Sequence, residues 1–162
     1  MTADLTTITW DFPTPFTRSM APQPADIDGL NHVNNAVYVQ WCEQVGWAHS
    51  EQLGLNLADY KRLDRAMAIR RGEYDYLLPA LHGDELILAT WLTAGDGKLT
   101  MTRRFQLVRA SDNLTLMRGR WDLVCIELSS GKVRRMPGEF CDVYNAAVVG
   151  EGSASSVSSA SE

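Results

Sequence analysis

Residues 26–54 read DIDGLNHVNNAVYVQWCEQVGWAHSEQLG, and the rest of the chain is organised around them. From Ala36 to Leu53 there is no proline, and Val37, Tyr38, Trp41, Val45 and Ala48 recur at spacings of three and four, the period of one helical face. Val39, Cys42 and Trp47 widen the apolar surface until little more than Gln40, Glu43, Gln44 and Glu51 is left for water, so this helix is expected inside a domain. Asn34 is a good N-cap and Gly54 suits the left-handed residue that ends a helix. At ~1.5 Å per residue the segment is on the order of 28 Å long, about the width of a small domain.

Chemistry is expected at the start of that helix. Its first N–H groups have no partner within the helix and carry partial positive charge, so they can hold an anion or polarise a carbonyl oxygen. Asp26, Asp28, His32, Asn34 and Asn35 cluster at that pole. A carboxylate beside unpaired amides supplies what acyl transfer needs, a nucleophile or base on one side and oxyanion donors on the other.

The chain of 162 residues is sized for one domain, read as residues 1–148, with a Ser/Gly-rich tail over 149–162 that has too little apolar surface to order itself. No apolar run is long enough to span a bilayer, and MTADLTTITW lacks the features of a signal peptide, so a cytoplasmic protein with no membrane partner is expected. Cys42, Cys125 and Cys141 are scattered and odd in number, which speaks against a disulfide framework or a zinc site and for small packed hydrophobes. Asp26, Asp28 and His32 find no further ligand at recognisable spacing, so neither metal nor cofactor is expected.

Net charge is −5, unevenly spread. Residues 98–135 hold nine Lys/Arg against three Asp/Glu, including Arg103, Arg104, Arg109, Arg118 and Arg120. This block reads as a solvated, salt-bridged sheet face whose field attracts anions. With the overall charge negative and no nucleic-acid module in evidence, nucleic acid is not an expected partner.

On either side of the helix the chain is extended. Residues 6–20 are β-branched and aromatic but broken by two prolines, an edge strand. Residues 56–66 add a short helix capped by Asn56. Residues 67–76 read as a strand with a bulge at Gly72, and 85–93 as a strand buried on both faces. Asp-Gly at 96–97 turns the chain into a long strand carrying Leu99, Met101, Phe105 and Leu107; a further strand holds Met117 to Cys125, and Val133–Met136 forms a last short run. A mainly antiparallel sheet of five or six strands after one long helix packs most economically as α+β, the curved sheet wrapped on the helix with Trp41, Trp91 and Trp121 in one core.

Asp26-Ile27-Asp28, His32-Val33-Asn34-Asn35 and Tyr38, followed by Tyr76-Leu77-Leu78-Pro79-Ala80 and Gly83-Asp84, resemble the hotdog-fold thioesterases of the 4-hydroxybenzoyl-CoA thioesterase-like group. The resemblance covers nearly the whole folded chain. It implies a hotdog fold, hydrolysis of an acyl-CoA or acyl-carrier-protein thioester, and a homodimer or homotetramer with sites at the dimer interface. By it Asp28 matches the catalytic carboxylate, nucleophile or general base, and Asn35 the helix-start residue whose N–H polarises the thioester carbonyl. His32 holds the loop or orients water or substrate. Tyr38 and Glu43 are candidate substrate contacts, and arginines of the basic block, or Arg70 and Arg71 contributed across the dimer, are candidates for the CoA phosphates. Many relatives carry Gly before the His, where this chain has Asn31. The rival reading keeps the fold and groove as a non-catalytic module that binds acyl thioesters or serves as an assembly partner. A hotdog hydratase is disfavoured, because the helix carries no histidine of that kind and His49 lies near its far end.

Overall fold

In the computed structural model, which describes residues 4–151, the central helix α1 spans Asn35–Leu53. Its caps are those expected. The Asn34 side chain accepts from the Ala36 amide at 3.0 Å, and Gly54, at φ 112°, returns its N–H to the carbonyls of Ser50 and Glu51. The buried face holds Val37, Tyr38, Trp41, Cys42, Val45, Gly46, His49 and Ser50. It is narrower than the sequence implied: Val39 and Ala48 are half-buried and Trp47 is exposed, so α1 lies on the sheet with one flank in solvent. Gly46 permits the closest approach, since a Cβ there would stand 3.2 Å from Trp121 Cζ3.

Helix α2, Leu57–Leu63, is capped by Asn56, which trades hydrogen bonds with Asp59. It stops short of residue 66 because Asp64 turns left-handed at φ 52° and Arg65 already belongs to a strand. Five antiparallel strands follow the expected plan: β1 Phe16–Met20, β2 Arg65–Tyr76, β3 Leu86–Gly95, β4 Thr100–Arg109 and β5 Thr115–Glu127, in the order β1-β3-β4-β5-β2. The bulge in β2 falls at Arg70, between Ile69 and Arg71, and Gly72 pairs regularly with Trp121. An extra residue there moves the inward phase from odd positions, such as Met67, to even ones, such as Tyr74.

One core lies between α1 and the sheet and contains Trp41 and Trp121. Trp91 does not join it. It sits on the opposite face of β3, where Trp10 and Phe12 meet it edge-on, so the N-terminal segment roofs the outer sheet. That is why β3 is apolar on both faces. Val133 makes only an isolated bridge to Ile126, and Gly138–Phe140 opens a helical turn that widens over Cys141–Asn145 and buries Tyr144. Of the expected tail, the Val149 amide donates to the Leu92 carbonyl at 2.9 Å and Glu151 pairs with Arg104 at 3.0 Å; residues 152–162 lie outside the described residues.

Candidate active site

The loop before α1 is held from both ends. Ile27 and Val33 form a bridge, the Asn34 amide donates to the Asp26 carbonyl at 2.8 Å, and the Asp28 amide donates to the His32 carbonyl at 2.8 Å. Val33 in turn donates to the Ala80 carbonyl at 3.0 Å, tying the loop to the connection before β3. Within it, Asp28 Oδ1 accepts from the amides of Leu30 (2.8 Å) and His32 (3.3 Å), while Oδ2 has no donor among the described residues. One carboxylate oxygen is thereby fixed and the other is left open. Asn31 has φ 60°, the left-handed region that Gly occupies freely and Asn tolerates better than most residues. Asn at this position therefore permits the turn.

The same loop runs straight into the start of α1. The Ala36 amide is taken by the Asn34 side chain and the Val37 amide by the Asn34 carbonyl, but the Asn35 amide finds no acceptor among the described residues. An open N–H at a helix start is a ready donor to a developing oxyanion. Asp28, His32 and Asn35 thus belong to one short loop and its helix, with the His32 side chain exposed.

Of the other expected residues, Tyr38 adjoins the loop through Ala80, while Glu43, Arg70 and Arg71 lie further off. Tyr38 is buried; its hydroxyl accepts from the Ala80 amide at 2.9 Å and its ring meets Trp41 and Tyr76 edge-on. Arg70 and Arg71 are exposed on β2, Arg71 paired with Glu73 at 2.6 Å. Glu43, about 12 Å further along α1 by helical rise, lies on the wall of a cavity of about 190 Å³ between α1 and the sheet. Met67, Met101, Trp121 and Leu123 supply its apolar walls, and Ser50, Tyr60, Tyr144 and Arg103 its polar groups.

Sequence reading missed these four polar residues. Arg103 had a signal: it is in phase with Met101, Phe105 and Leu107 and therefore points inward, which corrects its placement on the solvated face. Tyr144 had none, since the segment that carries it shows no strand or helix period. The hydroxyls form a chain. Ser50 Oγ lies 2.8 Å from the Leu55 carbonyl and 2.6 Å from the Tyr144 hydroxyl, which meets Tyr60. A carbonyl only accepts, so Ser50 donates to Leu55, Tyr144 to Ser50, and Tyr60 to Tyr144. Burial holds the phenols of Tyr60 and Tyr144 above their ordinary range. One Arg103 Nη lies 2.9 Å from His49 Nδ1 and 3.1 Å from Thr90 Oγ1. Arginine has no acceptor, so His49 Nδ1 carries the lone pair. Burial, then the Arg103 charge, pushes the His49 pKa down to about 4, and burial lowers that of Arg103 to about 10, still charged at neutral pH.

Among the described residues no group of three or more His, Cys, Asp or Glu side chains is placed to hold a metal ion, and no helix is long and apolar enough to cross a membrane. No curated protein matches the chain. Among solved structures, a 1,4-dihydroxy-2-naphthoyl-CoA thioesterase from Synechocystis superposes with a TM-score of 0.70 at 22% identity, over 79% of this chain and 95% of that one. A hypothetical protein from Staphylococcus aureus in complex with CoA gives 0.75 at 18% identity, over 83% and 86%. The 12:0-ACP thioesterase from Umbellularia californica gives 0.75 at 15% identity, over 83% of this chain and 54% of that one. These likenesses establish the hotdog fold, a curved antiparallel sheet around one long helix. The family described as the thioesterase-like superfamily matches residues 22–144, and on that match this chain belongs to it.

Proposed function

We propose that the protein hydrolyses an acyl-CoA thioester, or its acyl-carrier-protein counterpart, at the loop that opens α1. The observation that carries this reading is the Asp28 carboxylate, anchored through one oxygen by the Leu30 and His32 amides, in the loop that leads into the free Asn35 N–H. The thioester carbonyl oxygen accepts from that N–H, which stabilises the anion formed as the carbonyl carbon becomes tetrahedral. Asp28 takes a proton from a water whose oxygen attacks that carbon; the C–S bond breaks, and the thiolate leaves and is protonated. In the other order, Asp28 attacks first, expels the thiolate and forms a mixed anhydride that water cleaves. His32, exposed beside Asp28, orients water or the acyl carbonyl. Arg70 and Arg71, exposed on the edge strand β2, supply charge for the CoA phosphates, and two such strands pairing would bring a partner's helix start to each site. Three unpaired thiols suit a reducing compartment such as the cytoplasm.

The test is free-thiol release from a panel of short, long and aromatic acyl-CoAs by the native protein and by Asp28→Asn. Turnover of at least one thioester, with kcat lowered about 100-fold or more by the substitution, is expected. Unchanged turnover in the variant would remove Asp28 from the mechanism. No turnover with any thioester, alongside saturable binding, would leave the acyl-binding module, a role for which an Asp28 that merely braces its own loop suffices.

A further inference from the structure

Arg103 is a buried cation that no acid meets. It rises from β4 beneath the middle of α1, its Cδ standing 3.8 Å from the place of a Cβ on Gly46, and it is only 3% exposed. Among the described residues no Asp or Glu forms an ion pair with it. Its two hydrogen-bond partners, His49 Nδ1 and Thr90 Oγ1, are neutral and both fall on one Nη. Nε and the other Nη, which together carry three N–H donors, have no acceptor among the described residues. Burying such an ion without a counter-charge is unfavourable, and an apolar side chain of similar volume would fill the space without that cost.

Arg103 lines the cavity between α1 and the sheet, and its unmet donors, unlike Arg65 Nε and Trp91 Nε1, keep some accessible surface. Its hydroxyls do not compete for an anion, because their protons run in series from Tyr60 through Tyr144 and Ser50 to the Leu55 carbonyl. Glu43 is exposed and therefore screened by water, and it makes no pair with Arg103. At about 190 Å³ the cavity is smaller than the roughly 300–1,000 Å³ of sites that take a whole drug-sized ligand, so it fits an acyl end and not a nucleotide. Its walls are apolar except at Arg103, the hydroxyl chain and the water-exposed Glu43.

We propose that this cavity receives the substrate's acyl group and that Arg103 selects an acyl group whose far end carries a carboxylate. The proposal rests on the thioesterase reading and names its substrate class. Methylene or aryl carbons lie against Met67, Met101, Trp121 and Leu123, and the terminal carboxylate accepts from the free guanidinium donors, giving the buried charge the partner the chain itself withholds. A methyl-ended acyl group would leave those donors unpaired, the situation in which polar sites discriminate most strongly.

The test compares acyl-CoAs of equal length ending in methyl or carboxylate, with a hydroxyaryl-CoA as a third arm. kcat/KM is measured for the native protein, Arg103→Met and Arg103→Lys, and calorimetric binding of the intact thioesters for Asp28→Asn with and without Arg103→Met. The native protein should favour the carboxylate-ended member at least tenfold. Arg103→Met should lower the ratio of the two kcat/KM values about 100-fold, and Arg103→Lys, which keeps the charge without the planar fork, should fall between. A native ratio near one, a ratio unmoved by Arg103→Met, or preference for the hydroxyaryl arm would overturn the proposal. Should Arg103→Met fail to fold, the native ratio and the Lys variant decide. If no thioester is cleaved, the hydrolytic reading fails by itself; tighter binding of the carboxylate-ended thioester that depends on Arg103 would still uphold the selectivity, and equal binding would end it.

Discussion

At Asn31 a single backbone angle holds the candidate catalytic carboxylate in place. Its φ of 60° is one that β-branched residues reach only with strain, and its neighbours Leu30 and His32 are the two amides that fix Asp28. Asn31→Gly should leave stability and turnover near native, whereas Asn31→Val should cost about 1–2 kcal/mol in urea unfolding and depress thiol release more than stability alone accounts for; equal behaviour of the two would detach the turn from the chemistry. A second residue-scale prediction concerns His49, whose native pKa of about 4 lies below the ordinary 6.5. As pH falls through 6.5 the unfolded chain binds the proton first, so stability is lost between about 6.5 and 4, by up to about 3 kcal/mol, and is fully present above that window. Urea unfolding should show this loss for the native protein and a smaller one for His49→Asn, which keeps an acceptor toward Arg103 without titrating; parallel pH profiles would refute it. The loop that places Asp28 and His32 before the start of α1 was legible in the sequence because the amides that hold the Asp28 side chain lie within four residues of it. Arg103 was not, because it is read beside the other arginines of its strand, while the groups that define it, Thr90 and His49, lie 13 and 54 residues away.

Elements bounded by local signals were legible on the same principle. The caps at Asn34 and Gly54 delimit α1 within its own sequence, an unbroken apolar run marks β3, and alternation marks β4 and β5. Where an element depends on distant neighbours the reading slipped. The bulge at Arg70 was placed at Gly72, the residue that looks most like a bulge, and the helical turn bearing Tyr144 takes its stability from contacts with α1 and α2. Ser50, Tyr60 and Tyr144 join these three elements in one chain of hydrogen bonds, and its direction makes the two phenols unequal. Tyr144→Phe takes away the acceptor of the Tyr60 proton and the donor to Ser50 together, leaving a buried donor unpaired, which should cost about 1–3 kcal/mol. Tyr60→Phe removes the first link and orphans no donor, so its cost should be about 0.5–1.5 kcal/mol, the net worth of one hydrogen bond. Urea unfolding of the two variants measures the difference; a Tyr60→Phe loss as large as that of Tyr144→Phe would reverse the assigned direction.

For the whole molecule, most of the basic block is answered by its own chain. Arg104, Arg109, Arg118 and Arg120 pair with Glu151, Asp84 and Asp112, Asp11 and Asp122. The charge asymmetry that stands out in the sequence is therefore largely neutralised in the fold; of the block's cations without an ion pair among the described residues, Lys98, Lys132 and Arg135 are exposed and Arg103 is buried. The sheet's edges are unequal in a way no periodicity reveals. On one side the edge strand β1 is five residues long; on the other β2 is twelve, with Ile69 44% exposed beside the cavity that it helps to line. A long open edge with an apolar side chain invites pairing with a second strand. Antiparallel pairing of two β2 strands would continue the sheet across a dimer and cover Ile69 and the cavity mouth together, so assembly and activity should be coupled. Sedimentation should then give at least twice the 18.0 kDa of one chain, and on dilution the mass and the specific thiol-release rate should fall over the same concentration range. A chain of 18.0 kDa at every concentration would remove the dimer, and a specific rate that stays constant while the mass halves would show that one subunit holds a complete site.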